Sequence, residues 1–292
     1  MGLVRDGDDR PLAVLPLCVR GPRPLRVARF LGHGPADEQG PVCAREDTAA
    51  AMEVALRERR GWDVLLAERL PPGHGLRGRI LRREPSPVIE RPEGGWDEYF
   101  AGRSRNFRSQ LGRKERKLER DHALSFRLSD DPGRLADDMG VLFRLHDVRW
   151  GEEGSGAMSA QRQAFHQDFA AAALERGWLR LWLAEVEGKP VAAWYGFRYG
   201  GVESYYQSGR DPEWERSSVG LVLLVHTIRE AMGDGMREYR LLRGGESYKD
   251  RFATDDRGVE TVAVGRGAGR ALALLGDGAS RLPKRLRRSL FR

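Results

Sequence analysis

Residues 191–252 read VAAWYGFRYGGVESYYQSGRDPEWERSSVGLVLLVHTIREAMGDGMREYRLLRGGESYKDRF, and the rest of the chain is organised around them. Two strand-like runs, Val191–Tyr199 and Val202–Ser208, meet at Gly200-Gly201, a two-residue hairpin signal. A polar loop from Gly209 to Ser217 leads into an apolar helix over about Ser218–Met232, which stops at Gly233–Gly235. Tyr239–Leu242 then reads as a third strand. Ser217 or Ser218 can cap the helix, and Gly220 in its first turn lets a ligand approach the backbone. A helix entered straight from a strand offers N–H groups and partial positive charge to an anion, although most such termini hold only water or a cap. The third strand opens into Gly244-Gly245-Glu246-Ser247-Tyr248-Lys249, bringing an acid, a phenol and an amine to a strand end. Glu246 and Lys249 also stand at the spacing of an ordinary solvated pair.

Working outward, the 292 residues are 40% hydrophobic and 32% charged, enough for a sizeable core and two domains. The longest apolar runs, Pro11–Val19 and Val219–Val225, fall far short of the ~20 residues that span a bilayer. Acidic Asp6, Asp8 and Asp9 precede the first run, unlike a signal peptide, so a cytoplasmic chain is expected. Two isolated cysteines and six histidines without ligand spacing predict neither a disulfide nor a metal site. The net charge of +7 favours an anionic partner. Arg103–Arg120 carries eight of the basic residues, and the tail Arg281–Arg292 has six more with no acid.

Pro11–Val19 and Leu25–Leu31 read as strands, Thr48–Arg59 as an amphipathic helix and Trp62–Ala67 as another strand. That order repeats in the hairpin, helix and strand of residues 191–242, which implies an internal duplication with a period of about 170 residues. The first copy has Leu70-Pro71-Pro72-Gly73 where the second has its Tyr-Lys pair, so it reads as a scaffold half. Pro85–Glu93 reads as a linker. Trp96, Phe100, Phe107, Leu111 and Leu118 then keep one face of a long helix apolar, with the arginines opposite. That basic face is either solvated or a rail for phosphate-rich substrate such as tRNA. Strand His122–Leu128, helices Asp131–Trp150 and Ser159–Arg176, and strand Trp178–Val186 precede the quoted stretch. Strand Val259–Val264 and a basic terminal helix, Ala268–Leu290, follow it. The expected organisation is a first lobe over 1–95, a connecting helix over 96–121, a second lobe carrying the site over 122–265, and a basic tail over 266–292.

This order resembles the GNAT acyltransferase fold. Leu145-His146-Asp147-Val148-Arg149-Trp150, Tyr205-Tyr206-Gln207-Ser208-Gly209, Ser218-Val219-Gly220 and Gly244-x-Glu246-x-Tyr248-Lys249-x-x-Phe252 are similar to the cellulose-biosynthesis-type acetyltransferases. Those are two-lobed GNAT proteins related to the Fem-type aminoacyltransferases. The resemblance implies an α/β (α+β) protein with a duplicated GNAT-like fold, its mixed, mainly antiparallel sheets flanked by helices. Relatives of this kind usually carry further elements ahead of Pro11–Val19, so the first half reads as N-terminally incomplete. The family's strict phosphate motif is present only as the loose version Arg216-Ser217-Ser218-Val219-Gly220.

The resemblance further implies N-acyl transfer from acyl-CoA to an amine of a small molecule or peptide. Aminoacyl-tRNA is the alternative donor, and a non-catalytic scaffold or nucleic-acid-binding module is a third reading. Carried over to this chain, Tyr248 protonates the leaving group and Lys249 stabilises the developing charge. Glu246 orients Lys249 or acts as base; its bland role is a salt bridge. Gln207, Ser208, Ser218, Val219, Gly220 and Leu221 are expected around the donor. Arg149, Trp150, Glu203, Tyr205 and Tyr206 are expected around the acceptor, although Arg149 also suits a helix end and Trp150 a core. Strict alternation puts Glu203, Tyr205 and Gln207 on one face of their strand, and Tyr206 with Ser208 on the other.

Overall fold

A computed structural model describes residues 2–5, 7–23, 26–43, 56, 61–154, 159–267 and 269, without the side chains of 2–4, 11 and 150–154. The helices expected over Thr48–Arg59 and Ala268–Leu290 lie outside the described residues. The chain divides into two units. One comprises Met1–Ser86, Arg243–Gly245 and Asp256–Arg292; the other comprises Pro87–Leu242 and Glu246–Asp255.

In the first unit, β1 (Gly2–Arg5), β2 (Pro11–Leu15) and β5 (Val42–Cys43) form a small antiparallel sheet. The single strand expected over Pro11–Val19 is two. Pro16 has no N–H to give a ladder, and the chain turns there from β2 into β3 (Leu17–Arg20), which belongs to a second sheet. In that sheet β3 pairs antiparallel with β4 (Val27–Phe30), and β4 pairs parallel with β6 (Val64–Leu70). The late strand Val259–Gly265 runs antiparallel between β6 and β7 (Arg79–Glu84). Leu15, Phe30, Leu65 and Leu70 are buried in its core.

The second unit begins inside the expected linker. Pro87–Glu90 is a strand, β8, with Val88 and Ile89 buried, since four residues with two adjacent aliphatics suffice for a short buried strand. The long helix expected from Trp96 is two helices, α1 (Gly95–Ala101) and α2 (Arg105–His122). Gly102 ends the first, and the Ser104 hydroxyl accepts the Phe107 N–H to cap the second at 3.2 Å. Phe107, Leu111 and Leu118 form the buried stripe of α2. Strand β9 (Leu124–Leu128), α3 (Leu135–Gly154), α4 (Ala160–Glu175) and β10 (Leu179–Val186) lead to the hairpin of β11 (Lys189–Tyr199) and β12 (Val202–Arg210). Gly200 and Gly201, at φ 55° and 76°, make its turn as expected. Helix α5 (Val219–Gly233) crosses over to β13 (Glu238–Arg240), so β12 and β13 pair parallel, and β8 closes antiparallel on β13.

The two sheets repeat one pairing pattern. A hairpin is followed by a strand parallel to its second arm, and then by an antiparallel strand from far away in sequence. That last strand is Val259–Gly265 in the first unit and β8 in the second. The duplication is therefore visible in topology, with one strand contributed by each half of the sequence to the other half's sheet.

Candidate functional site

Strand β12 positions the site. It is nine residues long, but only Val202–Ser204 pair with β13 (Glu238–Arg240). From Tyr205 onward its edge on that side parts from β13, opening a wedge. A cavity of about 290 Å³ lies there, lined among others by Arg149, Trp194, Tyr205, Ser208, Ser218, Gly220, Leu221, Tyr248 and Arg251.

A β-bulge sets which side chains face the wedge. Tyr195 of β11 pairs with Gln207, yet the next residue, Gly196, pairs with Tyr205, leaving Tyr206 as the extra residue. This corrects the alternation expected for β12. Tyr205 and Ser208 share the cavity face, where Tyr205 stacks on Trp194 with centroids 5.6 Å apart. Tyr206 lies against Tyr195 and His166 in the other core and does not line the cavity. Gln207 does not line it either. Glu203 is fully buried, with its carboxylate 2.7 Å from Arg198 and 3.8 Å from Arg180, so it is spent on the arginines rather than offered to an acceptor. Gly209 is required where α3 crosses β12, because a Cβ there would collide with the backbone of Leu145 and His146. That close crossing brings Arg149 over the strand.

Arg149 donates from Nη1 to Ser208 Oγ at 2.7 Å, and the Tyr205 hydroxyl bonds the same oxygen. Tyr248 is the next member of this chain. Burial pushes its phenol upward, and the neighbouring Tyr205 and Glu246, with a hydrogen bond to Tyr205, act in the same direction. Its proton is therefore held throughout the neutral range. Trp150 belongs to α3, with its side chain outside the described residues.

The start of α5 forms the other wall. Ser218 takes φ 57° and ψ 38°, and its side chain makes no cap hydrogen bond to the helix. Its Oγ instead accepts from Lys114 Nζ. Val219 is fully buried, while Gly220 and Leu221 line the cavity. Arg210 also lines it, in an ion pair with Glu215 at 2.6 Å. Arg251 lies 4.7 Å over the Phe107 ring. A helix start without a side-chain cap, flanked by Lys114, by Arg251 and by the Arg210–Glu215 pair, suits a polyanion.

Lys249 stands apart from this wall. It is 3% exposed, with Nζ 3.0 Å from the Glu246 carboxylate and 3.2 Å from the Leu242 carbonyl, and it is not among the residues lining the cavity. Leu242 sits at φ 56°, a left-handed conformation uncommon for leucine. Lys249 thus pins a strained turn, and the carboxylate of exposed Glu246 pairs with it rather than facing the cavity.

Sequence reasoning missed Lys114, Trp194, Arg210 and Arg251. Lys114 carried a readable signal, because Phe107, Leu111, Lys114 and Leu118 follow the spacing of one helical stripe. A lysine within an apolar stripe has a specific partner. Arg251, three residues after Tyr248, shares its side of a 3₁₀ turn.

The family model of the acetyltransferase (GNAT) domain matches residues 105–250. No curated protein matches the chain in sequence. Among solved structures, L-PGS from Bacillus licheniformis is similar at a TM-score of 0.60 and 13% identity, covering 97% of this chain and 89% of that one. The C-terminal DUF2156 domain of a protein assigned as a lysylphosphatidylglycerol synthetase, from Agrobacterium fabrum, gives 0.60 at 14% identity, covering 95% and 88%. FemX gives 0.59 at 10% identity, covering 94% and 89%. These likenesses extend over both units and concern the fold. The matched domain runs from α2 to the turn that carries Tyr248 and encloses the wedge and its lining, and the chain belongs to the acetyltransferase (GNAT) family.

Proposed function

We propose that the chain is an N-acyltransferase that takes an acyl group from acyl-CoA and passes it to an amine. The observation carrying this reading is the wedge between β12 and β13, with the uncapped start of α5 at its mouth. A donor built as an acyl thioester on a phosphate-bearing carrier fits that division, its phosphates on the helix start and its thioester along β12. Gly220 supplies backbone there, and Lys114, Arg210 and Arg251 supply charge.

At the reacting end, Tyr248 is a neutral phenol at the pH where the reaction runs. A phenol held protonated by burial is a weak acid but a good hydrogen-bond donor. It would stabilise the negative charge that develops on the departing sulfur. Arg149, Ser208 and Tyr205 hold the phenol in place and present polar groups to the acceptor. Glu246 and Lys249 act as positioning residues, through the Leu242 turn.

A second reading is aminoacyl-tRNA-dependent transfer of the Fem-like kind. The likeness to FemX over both units favours it, as does the exposed basic face of α2. Transfer assays with radiolabelled acetyl-CoA, longer acyl-CoAs and charged tRNA, over a panel of amines, separate the two. Acyl-CoA turnover supports the first reading. Transfer from charged tRNA alone, with binding that falls steeply with salt, supports the second. No transfer from any donor leaves a scaffold or binding module.

A further inference from the structure

The cations around the wedge fall into two groups. Arg210 stands beside Gly220, 3.3 Å from where a Cβ on that glycine would lie, and Lys114 bonds Ser218, so both belong to the start of α5. Arg149 instead reaches the cavity from α3, over the close crossing at Gly209, and lines it with Tyr205, Ser208 and Tyr248. Burial raises the Tyr248 phenol and the Arg149 charge pulls it the other way, so the guanidinium lies within electrostatic reach of the reacting end. The phosphates of a donor seated on α5 account for the first group and leave Arg149 to the acceptor.

The local geometry says what Arg149 suits. Ser208 Oγ accepts from Nη1 at 2.7 Å and is itself hydrogen-bonded to the Tyr205 hydroxyl, which fixes how the guanidinium is turned. A guanidinium presents five N–H donors in a rigid fork that matches a carboxylate. Glu215, the one acid among the described lining residues, is tied to Arg210 at 2.6 Å. A polyamine or a lysine-rich peptide would bring further positive charge against Arg149, Arg210 and Arg251. An amine that carries its own carboxylate brings the compensating charge with it.

We infer that the acceptor is an amino acid, whose carboxylate pairs with Arg149 while its amine faces the thioester beside Tyr248; this rests on the acyl-CoA reading above. The amine nitrogen attacks the thioester carbonyl carbon. The C–N bond forms, the C–S bond breaks, and one amine proton ends on the sulfur, giving an N-acyl amino acid and a free thiol. The carboxylate takes no part in the exchange and stays on Arg149.

The test measures thiol release from acetyl-CoA by the full chain. The acceptors are the common amino acids, each beside its carboxamide and its decarboxylated amine, with spermidine and O-phosphoethanolamine for comparison. The preferred amino acid should have a kcat/KM at least ~10-fold above that of its carboxamide, the strength of a charge-assisted pair. That preference runs against intrinsic reactivity, because the carboxamide's amine is the weaker base and offers more of the free nucleophile. Arg149→Met should raise KM for the amino acid about 10–100-fold and bring the acid-to-amide ratio to about one. Arg149→Lys, which keeps the charge without the fork, should retain part of the preference. A purely structural Arg149 would lower all members of a set alike and leave the ratio untouched, which overturns the inference. So does turnover that prefers carboxamides, spermidine or O-phosphoethanolamine. If no amine releases thiol, the acyl-CoA reading fails by itself, and saturation-transfer NMR of the amino acids decides the inference. Binding to the wild type that Arg149→Met loses sustains it, and the lack of such binding overturns it.

Discussion

Replacing Lys249 by methionine separates two accounts of the most specific motif in the chain. If Lys249 stabilised the tetrahedral oxyanion, its loss would cost roughly 100–1000-fold in turnover and little in stability. The structure leads to the opposite expectation. Its Nζ holds the carboxylate of Glu246, whose side chain is 55% exposed, and a pair of that kind contributes at most ~1 kcal/mol. The same ammonium bonds the Leu242 carbonyl, and a charge-assisted bond of that type is worth about 1.5–3 kcal/mol. Methionine keeps the stem in its packed position, so the cavity penalty is small. Lys249→Met should therefore lose about 2–3 kcal/mol in urea unfolding, while the single-turnover rate of the folded enzyme falls by less than ~10-fold through a looser Tyr248. Single-turnover kinetics at saturating donor, beside denaturation curves for the same preparations, decides it. A 100-fold loss of chemistry with unchanged stability would refute the positioning role and return Lys249 to the oxyanion.

Three other perturbations follow from the geometry. Lys114→Met should raise the donor KM about 10-fold with kcat nearly unchanged, because the group meets bound phosphate equally in ground and transition states; steady-state kinetics with varied acyl-CoA checks this. Tyr248→Phe should lower kcat by about 10–100-fold and change stability by ~1 kcal/mol or less, and the wild-type rate should show no loss from phenol ionisation up to pH 10, since burial raises that pKa. His226 stacks on Phe126 at 4.0 Å, and burial lowers its pKa to about 4. The unfolded chain then takes up this proton first, so stability should decline as pH falls from about 6.5 towards 4, and His226→Phe should flatten that limb in urea midpoints measured against pH.

The hairpin, α5 and β13 were legible because each rests on local chemistry: a Gly-Gly turn, an unbroken apolar run and a short strand after glycines. The origin of the strand beside β13 was not. Pairing between β8 and β13 joins residues some 150 apart in sequence, and the prolines and charges around Pro87–Glu90 mimic a linker. The site was legible as a cluster but not as an orientation. Tyr248 and Lys249 are neighbours in sequence, yet the 3₁₀ turn that starts at Lys249 rotates successive side chains by about 120°, so one lines the cavity and the other turns inward. A single extra residue at Tyr206 likewise reset the faces of β12, moving Ser208 to the side of Tyr205 and Gln207 away from it. Bulges leave no periodicity to read.

Duplication explains why the chain has two wedges, and side-chain chemistry explains why the acyl chemistry is proposed for one. In each unit a strand runs past its parallel neighbour and opens the sheet, a consequence of backbone topology that any sequence adopting the fold inherits. In the second unit that opening gathers Arg149, Arg210, Arg251 and a held phenol, at a helix start whose serine bonds Lys114 in place of capping. In the first it gathers Phe30, Leu31, Leu70 and prolines with Glu38, Gln39 and His74, and neither arginine nor lysine is among its described lining residues. A polyanionic donor needs the former, because desolvating phosphates against an apolar wall has no compensating interaction. The backbone thus sets where each sheet opens, and the charge lining an opening decides whether it can take a polyanion.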